Sequence, residues 1–190
     1  CDMIYTYDKE EAEKYGIHYY ESYVYSRMVK TTEPETFEYD LFFVGYAKDR
    51  LPLIHSTYQK AISNGLKCKF IVVNAPEKDR ICESGIEYLD KVIPYEQVID
   101  FVQKSKCILE ITQENAEGAT MRTAEAILYK RKLLSNCNRA SARPYYNKAQ
   151  MKEFTCAQDI DIDFIKEGIP YDKLSDTESF SPVKELIFLE

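Results

Sequence analysis

Short apolar runs alternate with helix-like segments along most of this 190-residue chain, and the alternation limits the folds that are open to it. Four runs have the continuous apolar character of strands buried on both faces: YDLFFVG at 39–45, KCKFIVV at 67–73, CILEIT at 107–112 and KLLSN at 132–136. The segments between them predict helices at 48–64, 94–104 and 119–129. The alternation therefore predicts an α/β fold, in which a parallel sheet carries helices on both faces and binds ligands beyond the carboxyl ends of its strands.

The remaining segments suggest how the chain is divided. Ahead of the first strand, a short helix at 8–14 and an extended run at 17–25 lead into a polar stretch at 26–38, which shows no helical period. We interpret 26–38 as a linker and 39–190 as one Rossmann-like domain with C-terminal helices. A further extended segment is expected at 86–89, and terminal helices are expected at 159–167 and 182–189.

The composition narrows the possible functions. Apolar residues make up 45% and aromatic residues 13% of the chain, which favours a packed core over disorder. With 25 basic and 32 acidic residues the net charge is −7, so a general affinity for nucleic acid or for anionic membranes is not expected, and any anion site must be local. No apolar run approaches the roughly 18 residues of a membrane-spanning helix, and the N-terminus lacks a signal-peptide pattern, so we expect an intracellular protein.

The cysteines and histidines do not predict a metal site. No two cysteines form a CxxC pair, and the two histidines lie far from each other and from most of the cysteines. We expect all six thiols to be reduced: Cys1, Cys68, Cys82, Cys107, Cys137 and Cys156.

The segment at 117–137, EGATMRTAEAILYKRKLLSNC, carries the residues of greatest chemical interest. Gly118 and Thr120 lie where a loop turns into the predicted helix, so backbone N–H groups and the positive end of the helix dipole point into the crevice above the strands. Such a place suits phosphate. Arg122 lies in the first turn, where a cation opposes the dipole unless an anion is nearby. The alternative is an i,i+3 pair between Arg122 and Glu125 on a solvated face, and the sequence leaves both interpretations open.

The same helix has a predicted apolar stripe. Met121, Ala124 and Leu128 recur at helical spacing and are expected to pack against the sheet. The basic residues at 130–132 follow at the C-terminal end, where cations complement the dipole. We expect these three to have a structural role and to remain in water.

Glu117-Gly118, Glu125-Ala126 and the KLLSN strand together resemble the donor-site motif of GT-B glycosyltransferases, in which two glutamates separated by seven residues precede a short turn and an apolar strand. The FFVG sequence at 42–45 is similar to the first strand and glycine of the nucleotide-binding half of that family. The resemblance is closest to bacterial capsule and lipopolysaccharide biosynthesis proteins. It implies that the chain is one half of a GT-B fold, the half that binds a nucleotide diphosphate sugar.

The resemblance implies a role for each residue of the motif. Glu125 would accept hydrogen bonds from the ribose hydroxyls, since a carboxylate accepts two hydroxyl donors at once. Glu117 would be the first glutamate of the motif. Gly118 and Thr120 would let the backbone approach the pyrophosphate or the sugar, and Arg122 would balance the negative charge of the donor.

Gly45 at the end of the first strand, and two basic residues just beyond it, complete the implied donor site. Gly45 resembles the family glycine that leaves room for the donor. Lys48 and Arg50 resemble the basic residues that neutralise the leaving diphosphate in metal-independent members of the family. Ordinary surface charge at the start of a helix is an equally good interpretation of this pair.

The resemblance also implies partners and a setting. The substrate would be a nucleotide diphosphate sugar, with no further cofactor and no metal, and no catalytic residue can be assigned. Because GT-B enzymes have two domains, residues 1–25 resemble the tail of an acceptor domain that lies outside this sequence and would bind a glycan or a lipid-linked acceptor. The intact protein would be cytoplasmic, with peripheral association at the inner face of the membrane.

Two alternatives remain from the sequence. One is a GT-B-fold nucleotide-sugar 2-epimerase, which would need its own acid/base residues in the cleft. The other is a non-enzymatic module of the flavodoxin or receiver type, which shares the alternation of strands and helices. A receiver should carry clustered aspartates after its first strand, whereas FFVG leads to Tyr46 and Ala47 before Asp49.

Overall fold

A computed structural model describes residues 3–6, 9–19, 36–82, 85–113, 120–137, 140–143 and 145–168. Near the N-terminus, β1 (Tyr5–Thr6), α1 (Lys9–Tyr15) and β2 (His18–Tyr19) form a small unit in which the two strands pair in parallel. Several predictions lie outside the described residues: the predicted helix at 182–189, the end of the extended run at 20–25, most of the linker, and the two motif residues Glu117 and Gly118.

A six-stranded sheet forms the centre of the molecule and confirms the predicted α/β fold. Its strands are β3 (Tyr39–Tyr46), β4 (Cys68–Val73), β5 (Glu87–Leu89), β6 (Ser105–Glu110), β7 (Lys132–Ser135) and β8 (Met151–Glu153). They are arranged in the order β5-β4-β3-β6-β7-β8, and every pair is parallel. This order is that of a Rossmann-like sheet, with β3 and β6 side by side at its centre.

Helices cover both faces of the sheet, because alternate residues of the central strands point to opposite sides. On one face, α2 (Leu51–Ser63) and α5 (Ile162–Lys166) pack against the side of β3 that carries Leu41 and Phe43. On the other face, α3 (Tyr95–Gln103) and α4 (Met121–Leu128) pack against the side that carries Phe42.

Several predicted boundaries are wrong in detail. The helix predicted at 48–64 begins with a 3-10 turn, Lys48–Arg50, and the strand predicted at 107–112 lies two residues earlier. The helix predicted at 159–167 is limited to α5, because Asp161 accepts a hydrogen bond from the backbone N–H of Phe164 at 2.8 Å and so caps its start. β8 was not predicted, since three residues are too few to show a strand period.

The expectation that residues 130–132 all remain in water is wrong for two of them. Arg131 and Lys132 are only 4% and 3% exposed. Arg131 donates to the carbonyl oxygens of Val102 and Gln103 at the end of α3, while Lys132 donates to those of Phe164 and Glu167 at the end of α5. Both cations therefore satisfy the carbonyl ends of other helices, which gives them the expected structural role in a buried setting.

The predicted apolar stripe on α4 is correct for Ala124 and Leu128 and wrong for Met121. The first two are buried, whereas Met121, the first residue of the helix, is 49% exposed. The buried apolar stripe of α4 therefore begins at Ala124.

Three further observations concern the cysteines, the length of the helices and the possible metal ligands. The five cysteines in the described part of the chain are free thiols, as predicted for them. No helix among the described residues is both long enough and apolar enough to cross a membrane. Within the same residues, no group of three or more His, Cys, Asp or Glu side chains is arranged to hold a metal ion.

Carboxylates at alternate positions, Asp159, Asp161 and Asp163, are a pattern that can hold a divalent cation. In the structure, Asp159 accepts the backbone N–H groups of Thr155 and Cys156, and Asp161 caps α5 and pairs with Lys152. Asp159 thus shapes the 3-10 turn that precedes α5, and Asp161 shapes the start of α5 itself.

Candidate functional site

The centre of the sheet contains a crevice at the point where the strand order reverses. From β3 the chain proceeds to β4 and β5 on one side, and from β6 it proceeds to β7 and β8 on the other. The connections therefore diverge between β3 and β6 and leave a crevice of about 510 Å³ at the carboxyl edge. Gly45 and Tyr46 from the end of β3, Thr112 beyond β6 and Arg122 of α4 all line it.

Arg50 lines the crevice and ties its two sides together. The guanidinium donates to the carbonyl oxygen of Ile111 at 2.6 Å and to that of Tyr46, so that it joins the segments that follow β6 and β3. Burial lowers the pKa of Arg50 from its ordinary value, and the nearby Asp49 carboxylate acts in the opposite direction. These contacts hold a cation at the crevice wall in a fixed position.

A larger residue than Gly45 would fit tightly beside Arg50. A Cβ atom on Gly45 would lie 3.1 Å from Cζ of Phe43 and 3.4 Å from Nη2 of Arg50, which is a tight fit. The sequence predicts that Gly45 leaves room for a donor. In the structure the nearest groups to that position are the Phe43 ring and the Arg50 guanidinium, while the glycine itself lines the crevice.

Lys48 forms a second link across the crevice mouth. Its Nζ donates to Oε1 of Gln113 at 2.8 Å, and Gln113 lines the crevice. The backbone of Lys48 has a φ of 43°, in the left-handed region that residues other than glycine seldom adopt. Lys48 is exposed and is not among the lining residues, so it stands at the edge of the crevice.

Glu110, at the end of β6, fixes the start of α4. Its carboxylate is 3% exposed and accepts hydrogen bonds from the hydroxyl groups of Thr120, Thr123 and Ser135. Thr120 also caps α4, because its Oγ1 accepts the backbone N–H of Arg122 at 3.1 Å. One buried carboxylate therefore joins β6, β7 and the N-terminus of the helix that faces the crevice.

Sequence reasoning missed Glu110 even though a signal was present. The residue is a lone acidic residue within the apolar run CILEIT, and a buried acidic residue needs hydrogen-bond donors around it. Those donors come from residues 10 to 25 positions further along the chain, and the sequence does not show that they meet.

Glu125 is fully buried beneath the crevice wall. Its Oε1 accepts from Nη2 of Arg122 at 2.7 Å and from the hydroxyl of Tyr95 at 2.8 Å. Within the described part of the chain, its Oε2 has no hydrogen-bond partner. Burial, helped by the nearby Glu110 carboxylate, raises the pKa of Glu125 to about 7 against the opposing influence of Arg122. The predicted i,i+3 pair is thus present, but its location on a solvated face was wrong.

The structure brings four of the predicted site residues together. Gly45, Arg50, Thr120 and Arg122 line the same crevice. Glu125 is not among the lining residues and contacts that wall through Arg122. Its predicted role at the ribose stays a prediction, and in this conformation Arg122 would have to move for a ligand to reach the carboxylate.

An apolar rim completes the crevice. Tyr46, Val92 and Met121 are 41%, 59% and 49% exposed, and each of them lines it. They belong to three different parts of the fold: the end of β3, the segment after β5 and the start of α4. The crevice therefore offers guanidinium groups on its wall and apolar surface at its mouth.

Comparison of the chain with protein-family models, with curated proteins and with solved structures finds no match in any of the three.

Proposed function

We propose that the crevice between β3 and β6 binds a nucleotide diphosphate sugar, and that the chain is the donor-binding part of a glycosyltransferase for surface polysaccharide or lipopolysaccharide synthesis. The observation that carries the proposal is the pair of guanidinium groups, Arg50 and Arg122, on the wall of a crevice at the switch point of a parallel sheet. In sheets of this kind, ligands bind in that crevice.

The charged wall suits the diphosphate. Arg122 lies in the first turn of α4, whose N-terminal end attracts anions, and guanidinium groups bind phosphate oxygens in a bidentate manner. The two carbonyl contacts of Arg50 leave its Nε without a hydrogen-bond partner among the described residues. Cations held in this way would neutralise the diphosphate without a metal ion.

The rim suits the rest of the nucleotide. A volume of about 510 Å³ lies within the usual range of about 300–1,000 Å³ for small-molecule sites. Tyr46, Val92 and Met121 offer apolar surface on which a base could stack. A ligand with an anionic centre and a flat ring matches both features.

The other parts of the proposal rest on the resemblance of the motif. Glycosyl transfer needs an acceptor site, which a second domain would supply for a glycan or a lipid-linked acceptor at the cytoplasmic face of a membrane.

Calorimetric titration with UDP, GDP, ADP and CDP, each with and without a chelator, tests the proposal. We expect one or more to bind in the presence of chelator, and uridine or guanosine without phosphate to bind far more weakly. Arg122→Gln should weaken binding about 10- to 100-fold, because it removes charge-assisted hydrogen bonds of roughly 1.5–3 kcal/mol.

Lys67→Gln is the matched control, since Lys67 is exposed and lies before β4, at the opposite edge of the sheet. Lys67→Gln removes one positive charge, as Arg122→Gln does, and should leave the affinity for the nucleotide unchanged. Failure of all four nucleotides to bind the unaltered protein, or a strict requirement for magnesium, would contradict the proposal.

A further inference from the structure

The Arg122 guanidinium lies between the crevice and a buried acid. Arg122 lines the crevice, its side chain is 15% exposed, and its Nη2 contacts the fully buried carboxylate of Glu125 at 2.7 Å. The Tyr95 hydroxyl of α3 donates to the same carboxylate oxygen, Oε1. Any anion that binds Arg122 is therefore only one side chain away from Glu125.

We propose that Glu125 is a positioning residue, which holds Arg122 at the crevice wall and makes the binding of an anionic donor take up one proton. The inference rests on the proposed function, because it requires an anion at Arg122. In this role Glu125 affects the ligand through Arg122 and does not contact the ligand itself.

The groups around Glu125 support both parts of this role. Arg122 faces it from the same helix, Tyr95 from α3 and Glu110 from β6. Burial and Glu110 favour the protonated acid, whereas Arg122 favours the carboxylate, and the pKa of about 7 reflects this balance. Oε2 lacks a hydrogen-bond partner among the described residues, so a proton on this atom leaves the contacts of Oε1 with Arg122 and Tyr95 intact.

An anion in the crevice would shift the balance towards the protonated form. The anion interacts with the same guanidinium that stabilises the Glu125 carboxylate, so that this stabilisation becomes weaker, and the anion also repels the carboxylate directly. The pKa of Glu125 is then higher in the complex than in the free protein. By linkage, affinity is constant below about pH 7 and falls above it, by at most about tenfold per pH unit for one proton.

The test measures the dissociation constants of UDP-glucose and GDP-mannose between about pH 5.5 and 8.5. These two probes present a pyrimidine and a purine base, and their diphosphate is esterified at both ends, so it does not titrate in this range. We expect affinity of the unaltered protein to fall at least threefold from pH 7 to pH 8.5, and Glu125→Gln to bind with equal affinity across the range.

Tyr95→Phe provides a second variant in case Glu125→Gln fails to fold. Loss of the hydroxyl donor removes a hydrogen bond to the carboxylate, which raises the pKa of Glu125 further, so the fall in affinity should begin at a higher pH. A merely structural role for Glu125 would lower the melting temperature of the variants without changing the dependence of affinity on pH.

The outcomes separate the two proposals. Binding of either probe with the same pH dependence in the unaltered protein and in Glu125→Gln overturns the inference and leaves the proposed function standing. Absence of binding by both probes at every pH contradicts the proposed function, and the inference falls with it.

Discussion

Replacement of Glu110 by alanine should destabilise the fold more than the loss of any exposed acidic residue. The Glu110 carboxylate accepts hydrogen bonds from Thr120, Thr123 and Ser135 and is 3% exposed. The substitution removes all three acceptor contacts at once and leaves a cavity between β6, β7 and the start of α4.

The size of the effect follows from these contacts. Hydrogen bonds to a charged group are worth about 1.5–3 kcal/mol each, so three set an upper limit of roughly 9 kcal/mol. Removal of the carboxylate also ends the cost of keeping a charge buried, and the freed hydroxyl groups can rotate to other acceptors. We therefore expect the free energy of unfolding to fall by about 3–5 kcal/mol for Glu110→Ala, and by less for Glu110→Gln, which keeps the shape and one acceptor oxygen.

Urea unfolding at fixed pH measures this difference directly. Glu87→Ala serves as the control, because Glu87 lies on the same sheet but pairs with Lys69 at a site where its side chain is 44% exposed. That substitution should cost no more than about 1 kcal/mol. If Glu110→Ala costs as little as the control, Glu110 does not join the helix to the strands as described.

Two further predictions concern buried titratable groups. The folded pKa of Glu125, about 7, lies above its ordinary value of 4.5, so its contribution to stability is full below about pH 4.5 and is lost as pH rises through 7. At about 1.4 kcal/mol per pKa unit the loss is roughly 3–4 kcal/mol. It should appear as a pH-dependent difference in unfolding free energy between the unaltered protein and Glu125→Gln, and a difference that stays constant across this pH range would contradict the described burial of Glu125. Cys107 is fully buried, and burial raises its pKa. Iodoacetamide should therefore modify the exposed Cys82 and leave Cys107 unmodified in the native protein, as measured by peptide mass spectrometry. Modification of Cys107 at a comparable rate would contradict the described core.

The sheet could be predicted from the sequence because its central strands are buried on both faces. A run such as FFVG or FIVV has to be apolar throughout, and that pattern is local. β8, with the sequence MKE, could not be predicted in the same way. It is a strand because it pairs with β7, where Leu133 lies opposite Met151, and pairing between distant segments leaves little trace in three residues.

Part of the candidate site could also be predicted, because that part depends on residues that are close together in the sequence. Arg122 and Thr120 could be placed at the start of a helix from the neighbouring residues alone. The surroundings of Glu125 could not, since Tyr95 approaches it from 30 positions earlier and closes it off from water. A helical face that appears solvated in isolation is buried here by α3.

The nucleotide site is tested most directly by an NMR titration of the ¹⁵N-labelled protein with UDP and GDP in the presence of chelator. We expect chemical-shift changes at the backbone amides of Gly45, Thr112 and Arg122, which line the crevice at the carboxyl edge, and little change at Lys67 before β4. Changes confined to the opposite edge of the sheet, or no change with either nucleotide, would contradict the claim that this crevice is a nucleotide site.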